Sequence, residues 1–452
     1  MVSTLLTPVI RRFAIKHNLF DMPDGERKVH VRPIPRLGGL AIIAGFYVPM
    51  VGVMIYHNKL SDAITANTVQ MIGLFIGGAL VLLIGLYDDL KGADAIKKLT
   101  IQILIGIISY YLGYRIIHMR VPGMDVVTLW PPLSLVITVL WFVAMMNAMN
   151  LVDGLDGLAS GVSFFILVTL GVMAVLDGDS ILLLFIATIS GAVAGFWPHN
   201  KSPATIFMGD TGSLFIGFVL AAISIRTASK SSTLVAMFIP LIAMGLPLFD
   251  TLLAIIRRLL THKPIMQADH QHIHHKLLSV GLTPKAAVQL LYLATILLGV
   301  FAIFLRIGNQ LEVYLSLFAL AVVVAAFVRF GGIGELLIHK QGNKSVDLKG
   351  LLPIIEQIAS NYQQDRDDEI KHNIQKLAKE IGNIELKLIR NGRLAASGGS
   401  PGPTTNVITA IYRLNGEDVL EISCKRASFD ATVERMSIAA ILARELMGKL
   451  KT

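Results

Sequence analysis

Apolar residues fall in long unbroken runs along most of the chain, near 38–57, 68–87, 99–114, 130–150, 158–176, 180–198, 212–226, 233–256, 286–305 and 310–330. Each run is rich in Leu, Ile, Val, Ala and Gly, and none alternates apolar with polar residues as a half-buried strand does. About 20 apolar residues of helix cross the ~30 Å of bilayer hydrocarbon. A segment in lipid must satisfy its own backbone hydrogen bonds, which leaves helices or closed barrels, and the missing alternation excludes a barrel. The pattern predicts an all-α polytopic membrane bundle of about ten to eleven transmembrane helices. The eleventh would start in residues 1–10, which are apolar but too few to span and are followed at once by Arg11 and Arg12. That segment reads as the stub of a first helix or as a cytoplasmic start.

Past residue 335 the pattern changes. Charge rises, as in Asp365, Arg366, Asp367, Asp368 and Glu369. Helices are expected near 351–361, 366–381 and 430–449, and strands near 383–390, 406–413 and 418–425, with a flexible loop at 397–403. The chain thus divides into a transmembrane domain, 1–335, and a small C-terminal α+β cytoplasmic domain, 336–452, of open role.

Composition sharpens this picture. Apolar residues make up 54 % of the 452 and charged residues only 16 %, against about 45–50 % and about 25 % in soluble domains. The mean hydropathy is +0.65. A soluble fold of this length and a disordered chain are both excluded. The single cysteine, Cys424, excludes a disulfide framework and a multi-thiolate metal site. The net charge of +9 is explained by the loops. One alternate set holds Arg11, Arg12, Lys16, Arg27, Lys28, Arg32 and Arg36, then Lys91, Lys97 and Lys98, then Lys201, then Arg257, Arg258, Lys263, Lys276 and Lys285. The other holds only Lys59, Arg115, Arg120, Arg226, Lys230 and Arg306. The first set is cytoplasmic by the positive-inside rule, and nothing calls for nucleic acid.

The carboxylates gather on that same side: Asp88 and Asp89 directly after a spanning run, Asp153 and Asp156 in NLVDGLDG, Asp210 in FMGDTGS, Asp250 in PLFD, and Asp269 ahead of His272, His274 and His275 in DHQHIHH. Any one of them alone reads as a turn or cap. Several clusters on one face do not. Adjacent Asp88 and Asp89 repel unless a cation or shared proton intervenes, and they sit at the helix end whose dipole disfavours anions. An all-carboxylate set favours a hard divalent ion, Mg²⁺ or Mn²⁺, which commonly keeps one or two carboxylates and takes substrate phosphate. With Lys97 or Lys98 nearby, this is the apparatus of phosphoryl transfer. His272, His274 and His275 suit an anion such as pyrophosphate better than zinc. HExxH and a P-loop are both absent from the sequence.

Five segments together, RKVHVRPIPRLGG (27–39), GLYDD (85–89), NAMNLVDGLDGLASG (147–161), PATIFMGDTGSLFIGF (203–218) and ADHQHIHHKLLSVGLT (268–283), resemble the polyprenyl-phosphate N-acetylhexosamine-1-phosphate transferases of glycosyltransferase family 4. The resemblance covers about residues 5–330. It implies an integral enzyme of the bacterial inner membrane that moves a sugar-1-phosphate, GlcNAc-1-phosphate by default, from a UDP-N-acetylhexosamine onto undecaprenyl phosphate. UMP is released and Mg²⁺ is needed. It implies roles residue by residue: Asp210 as metal ligand, Asp88 orienting or deprotonating the lipid phosphate with Asp89 beside it, Lys98 binding phosphate, and Asn150, Asp153 and Asp156 lining the nucleotide site. Asn200 and Phe207 would meet the uracil, and His272, His274 and His275 the pyrophosphate. The His-Ile-His-His order resembles the branch that begins O-antigen, common-antigen, teichoic-acid or related glycans, not the muramoyl-pentapeptide branch with three consecutive histidines. His270 stands where the family more often has Arg or Lys, and the first family helix is mostly missing. A polytopic transporter is the alternative from another class, but its charges would lie at the midplane. A homodimer is left open.

Overall fold

The computed structural model describes residues 1–22, 33–120, 126–230, 238–260, 273, 277–278, 281–307, 312, 357–358, 360, 367–381, 384–390, 393–399, 407–413 and 419–425. The chain forms two compact units, Met1–His339 and Lys340–Thr452.

The first unit is helical. Its elements are α1 (Val2–Lys16), α2 (Gly39–Ile55), α3 (Lys59–Ala66), α4 (Thr68–Lys91), α5 (Ala95–Tyr111), α6 (Pro131–Val152), α7 (Leu158–Leu176), α8 (Ser180–Asn200), α9 (Gly209–Lys230), α10 (Phe238–Ala243), α11 (Gly245–Leu260) and α12 (Pro284–Ile307). Two short antiparallel pairs interrupt them, β1 (Phe20–Asp21) with β2 (Ile34–Pro35) and β3 (His118–Arg120) with β4 (Val126–Thr128). Among the described residues six helices are long and apolar enough to cross a membrane: α4, α6, α7, α8, the Gly209–Thr227 part of α9, and α12. The sharply bent pair α2–α3 makes a seventh if counted as one span. The 24 residues of α4 extend about 36 Å, enough for the hydrocarbon layer.

Three expectations meet a different structure. The run at 38–57 ends as helix at Ile55, and the chain turns by 104° into α3. Asn58 causes the turn: its side chain accepts from Leu60 N and Ser61 N while Ser61 Oγ accepts from Asn58 N, a reciprocal capping box that starts a new helix. Within the run at 233–256 the described residues form two helices, α10 and α11, separated at Met244. The apolar start belongs to α1, which continues through Arg11 and Arg12 to Lys16 and packs on α2 and α8. The run at 310–330 lies almost wholly outside the described residues.

The bundle is organised around α9. Its apolar window is 89 % buried, against 39–67 % for the other spans. Helices α2, α4, α6, α7 and α8 all pack on it. Close approach at its N-terminus depends on glycine: a Cβ on Gly39 would run into the Gly212 backbone, and one on Gly85 would lie 2.5 Å from Thr211 Cα. At the opposite end the α7–α8 turn is a polar hub. Asp179 caps α8 through Ile181 N and Leu182 N and takes two bonds from the buried Arg226 of α9, at 2.9 and 3.1 Å. Arg226 also donates to Gln70 Oε1 at 2.5 Å and Asn67 Oδ1 at 3.2 Å, and Arg306 of α12 bonds Asp177 at 3.0 Å.

In the second unit α13 (Asp367–Ile381) lies on a four-stranded antiparallel sheet of β5 (Ile384–Arg390), β6 (Arg393–Gly399), β7 (Val407–Arg413) and β8 (Val419–Lys425), in the order β6-β5-β8-β7. Ile370 and Ile374, one turn apart, are buried, as are Leu386, Leu388 and Leu420 of the sheet. Strand β6 was not expected from sequence, and the first three residues of the expected 397–403 loop belong to it. The expected helices near 351–361 and 430–449 lie largely or wholly outside the described residues.

Candidate active site

The site begins where α4 ends. Gly92, at φ +73°, terminates the helix in the left-handed region that glycine favours. Asp88 and Asp89 occupy the last turn and point to different partners. Asp88 accepts from Ala93 N at 2.5 Å through one oxygen and from Lys98 Nζ at 2.7 Å through the other. Asp89 turns to α9: it accepts from Asp210 N at 2.8 Å, Thr211 N at 3.0 Å and Thr211 Oγ1 at 2.6 Å. The carboxylate that is badly placed for α4's dipole is therefore the N-terminal cap of α9, where amides and dipole favour an anion. The two carboxylates of the Asp pair are thus separated by their partners, Asp88 toward Lys98 and Asp89 toward α9.

That cap fixes Asp210 in the first turn of α9. Gly209 precedes it at φ +68°, packed against the Asp89 carboxylate. Asp210 Oδ1 accepts from Asn150 Nδ2 at 2.9 Å, and Asn150 also donates to Ser213 Oγ at 3.0 Å. Asp210 Oδ2 takes the Lys98 ammonium. Lys98 thus bridges Asp88 and Asp210, from α4 and α9. Burial alone would lower its pKa, but Asp210 and Asp88 outweigh that and hold it above the ordinary lysine value. One turn deeper, Asn147 Nδ2 donates to the buried Gln102 Oε1 at 2.7 Å and ties α6 to α5 under Asn150 and Lys98.

The loop from Asp153 to Gly157 joins α6 to α7. Asp156 accepts from Ala204 N at 2.9 Å. Asp153 is half-buried, and no hydrogen bond to its side chain is found among the described residues. Burial, then the charges of Asp210, Asp89 and Asp156, push its pKa well up. Asn200 is buried with both amide ends used: Ser160 Oγ donates to it at 2.8 Å and it donates to Ile206 O at 3.2 Å. It shapes the loop that carries Phe207. That loop is clasped by residues 35–39 through Phe207 N to Pro35 O, Gly38 N to Phe207 O and Gly39 N to Met208 O, at 2.8–2.9 Å.

Asp88, Asp89, Lys98, Asn150 and Asp210 are therefore one hydrogen-bonded constellation, and Asp156, Asn200 and Phe207 lie on the adjoining loops. His272, His274 and His275 lie outside the described residues. The intervening Ile273 is described, and its N–H donates to the buried Asp250 at 3.0 Å. Asp250, grouped by sequence with the other carboxylates, thus holds the backbone at Ile273. Sequence reasoning missed Thr211, Ser213, Gln102 and Asn147 as supports. The signal was present for one of them, because Thr211 follows Asp210 in the first turn of α9, where side chains commonly serve the helix end.

The donor set is all oxygen apart from Asn and Lys nitrogens, and Asp88 and Asp210 converge on one cation, the Lys98 ammonium. Among the described residues no three His, Cys, Asp or Glu side chains gather as a cage. One or two carboxylates completed by water and phosphate is the usual manner of binding Mg²⁺, so the residues fit that ion.

Cationic and carboxylate groups converging at the end of a membrane helix bundle define an integral membrane protein with a centre suited to a phosphate-bearing ligand. The glycosyl transferase family 4 model matches residues 71–228, a stretch that contains every member of the central constellation. A Bacillus subtilis (strain 168) protein named "Probable undecaprenyl-phosphate N-acetylglucosaminyl 1-phosphate transferase" is 37 % identical over 320 residues, 71 % of this chain and 86 % of the relative. A "Decaprenyl-phosphate N-acetylglucosaminephosphotransferase" of Mycolicibacterium smegmatis is 34 % identical over 65 % of this chain and 77 % of its own length. An "Undecaprenyl-phosphate alpha-N-acetylglucosaminyl 1-phosphate transferase" of Escherichia coli O157:H7 is 28 % identical over 72 % and 88 %. The chain belongs to glycosyl transferase family 4.

Proposed function

We propose that this protein transfers GlcNAc-1-phosphate from UDP-GlcNAc to undecaprenyl phosphate, releasing UMP, at the cytoplasmic face of the bacterial inner membrane, and so begins a lipid-linked envelope glycan. The observation that carries the reading is the Lys98 bridge between Asp88 and Asp210, in a chain whose relatives bear those activities in their names. Ten to eleven spans, with residues 336–452 a cytoplasmic domain, complete the proposed topology. Family membership sets the transporter reading aside.

An oxygen of the lipid phosphate attacks the β-phosphorus of the donor. The bond from that phosphorus to the bridging oxygen breaks, and UMP leaves with that oxygen. One phosphoanhydride replaces another, so the exchange is close to isoenergetic. The acceptor is a phosphate monoester with a second pKa near ~6, mostly dianionic at pH 7, and needs no strong base. The obstacle is bringing two anions together. Lys98 supplies a fixed positive charge at that point, and His272, His274 and His275 add donors toward the pyrophosphate. Asp88 positions the acceptor, and Asp89 keeps Asp210 in place by capping its helix. Asp210, with Asp88 beside it, would hold Mg²⁺, which when bound neutralises phosphate charge. Asn150, Asp153 and Asp156 line the nucleotide side, with Phe207 for the base and Asn200 fixing its loop. The transfer is direct, with no sugar-phosphate on the protein. UMP release by purified protein in detergent should require both undecaprenyl phosphate and Mg²⁺. Release without the lipid, or a labelled sugar-phosphate trapped on the chain, would overturn the scheme.

A further inference from the structure

The Asp153–Gly157 loop is also held from α12. Tyr292, in the third turn of α12, reaches across to it: its hydroxyl donates to Gly157 O at 2.5 Å. Trp197 Nε1, on α8, donates to the same hydroxyl at 3.2 Å and orients it. Gly157 O also receives the Gly161 N–H at 2.9 Å as α7 begins. Ser160 Oγ lies 3.0 Å away, but its single hydrogen also faces Asn200 Oδ1 at 2.8 Å. A carbonyl oxygen has two lone pairs. The helix takes one, and Tyr292 is the strongest claimant for the other.

The surroundings are built for this contact. Gly157 has φ +79°, and a Cβ there would meet Lys201 Cα at 3.1 Å and the Tyr292 hydroxyl at 3.3 Å. A Cβ on Gly161 would run into the Tyr292 ring. The ring is walled by Phe165 and Trp197, with centroids 5.5 and 5.6 Å away. Packing therefore fixes the tyrosine, and its hydroxyl fixes the loop. The loop has a second tether, Asp156 to Ala204 N.

We infer that Tyr292 is a positioning residue for the donor nucleotide: its hydroxyl holds the Asp153–Gly157 loop in the geometry that binds the UDP-sugar. The inference rests on the proposed role of that loop. It also links the nucleotide loop to α12, the helix that follows the histidine segment in the chain.

Tyr292→Phe keeps the ring and deletes only the hydroxyl. A lost interaction that holds ground state and transition state alike raises KM and leaves kcat. The KM for UDP-GlcNAc should rise about five- to tenfold, the range of one hydrogen bond, with kcat and the KM for undecaprenyl phosphate within about twofold. Trp197→Phe should move KM in the same direction by less, through the unoriented hydroxyl. Equilibrium binding of UDP to each variant, read without turnover, should weaken in parallel. An unchanged KM and UDP affinity in folded Tyr292→Phe would overturn the inference, as would a fall in kcat with KM held. Loss of the proposed function shows differently: the unmodified protein would then release no UMP.

Discussion

Asp89 offers the sharpest test of how the site is built, because two roles for it predict different outcomes. If it is the cap of α9, replacing it by alanine strands two amides, Asp210 N and Thr211 N, and the Thr211 hydroxyl, bonded now at 2.8, 3.0 and 2.6 Å. Helix caps are worth ~0.5–2 kcal/mol and bonds to charged groups ~1.5–3 kcal/mol. The α9 terminus is pressed against the Gly39 and Gly85 backbones, so water replaces the carboxylate poorly. Asp89→Ala should therefore lower stability by roughly 2–4 kcal/mol. Asp89→Asn keeps one acceptor oxygen and should lose about half as much. Activity should follow the same order, because a shift of about 1 Å in Asp210 costs on the order of 10²-fold. Thermal unfolding in detergent, measured beside UMP release, separates the roles. Asp89→Ala that melts like the unmodified protein yet has no turnover would refute the capping assignment and make Asp89 a group that acts on substrate.

Lys98→Met should lose at least about 10²-fold in kcat, since the charge it supplies is needed where the two phosphates meet, while purified protein still elutes as a folded species; turnover above a tenth would remove Lys98 from the centre. Arg226→Met leaves buried Asp179 without its two guanidinium bonds and should cost ~3–5 kcal/mol of stability, with KM of the surviving enzyme unchanged; a KM shift without a stability loss would show that the far end of α9 is coupled to the site. Asp153 has a folded pKa raised above its unfolded value, so its ionisation removes stability as pH rises from about 4 toward that raised pKa. Asp153→Asn in the presence of chelator should then melt higher than the unmodified protein at pH 7, with the gain vanishing near pH 4; equal melting temperatures at pH 7 would contradict the burial and charge repulsion assigned to it.

The helical class was legible because length and uninterrupted apolarity suffice for it. The run at 158–176 coincides with α7, Leu158–Leu176. What lies between the runs was harder to read. Asn58 starts α3 by a local capping box, and its Asn-x-x-Ser pattern stood in the sequence between the runs at 38–57 and 68–87, where length and apolarity gave no helix. Strand β6, RLAASGG, carries none of the β-branched or aromatic residues that mark a strand. It forms by pairing with β5, which supplies the alternating Leu386 and Leu388. At the site, the motifs and their order pointed to Asp88, Asn150 and Asp210, which the fold brings into one hydrogen-bonded group. They did not reveal that Asp89 and Asp250 are backbone supports, because both contacts join residues far apart in sequence, 89 to 211 and 250 to 273.

The central assignment is that the centre around Asp210 moves a sugar-phosphate to a lipid phosphate. The most direct measurement uses UDP-GlcNAc labelled in the β-phosphate, with undecaprenyl phosphate and Mg²⁺, for the unmodified protein and Asp210→Asn. The label should pass to the lipid fraction in the first and stay with the nucleotide in the second. Transfer by folded Asp210→Asn above a tenth of the unmodified rate, a loss below about 1.4 kcal/mol, would contradict it, as would label that never reaches the lipid with the unmodified protein.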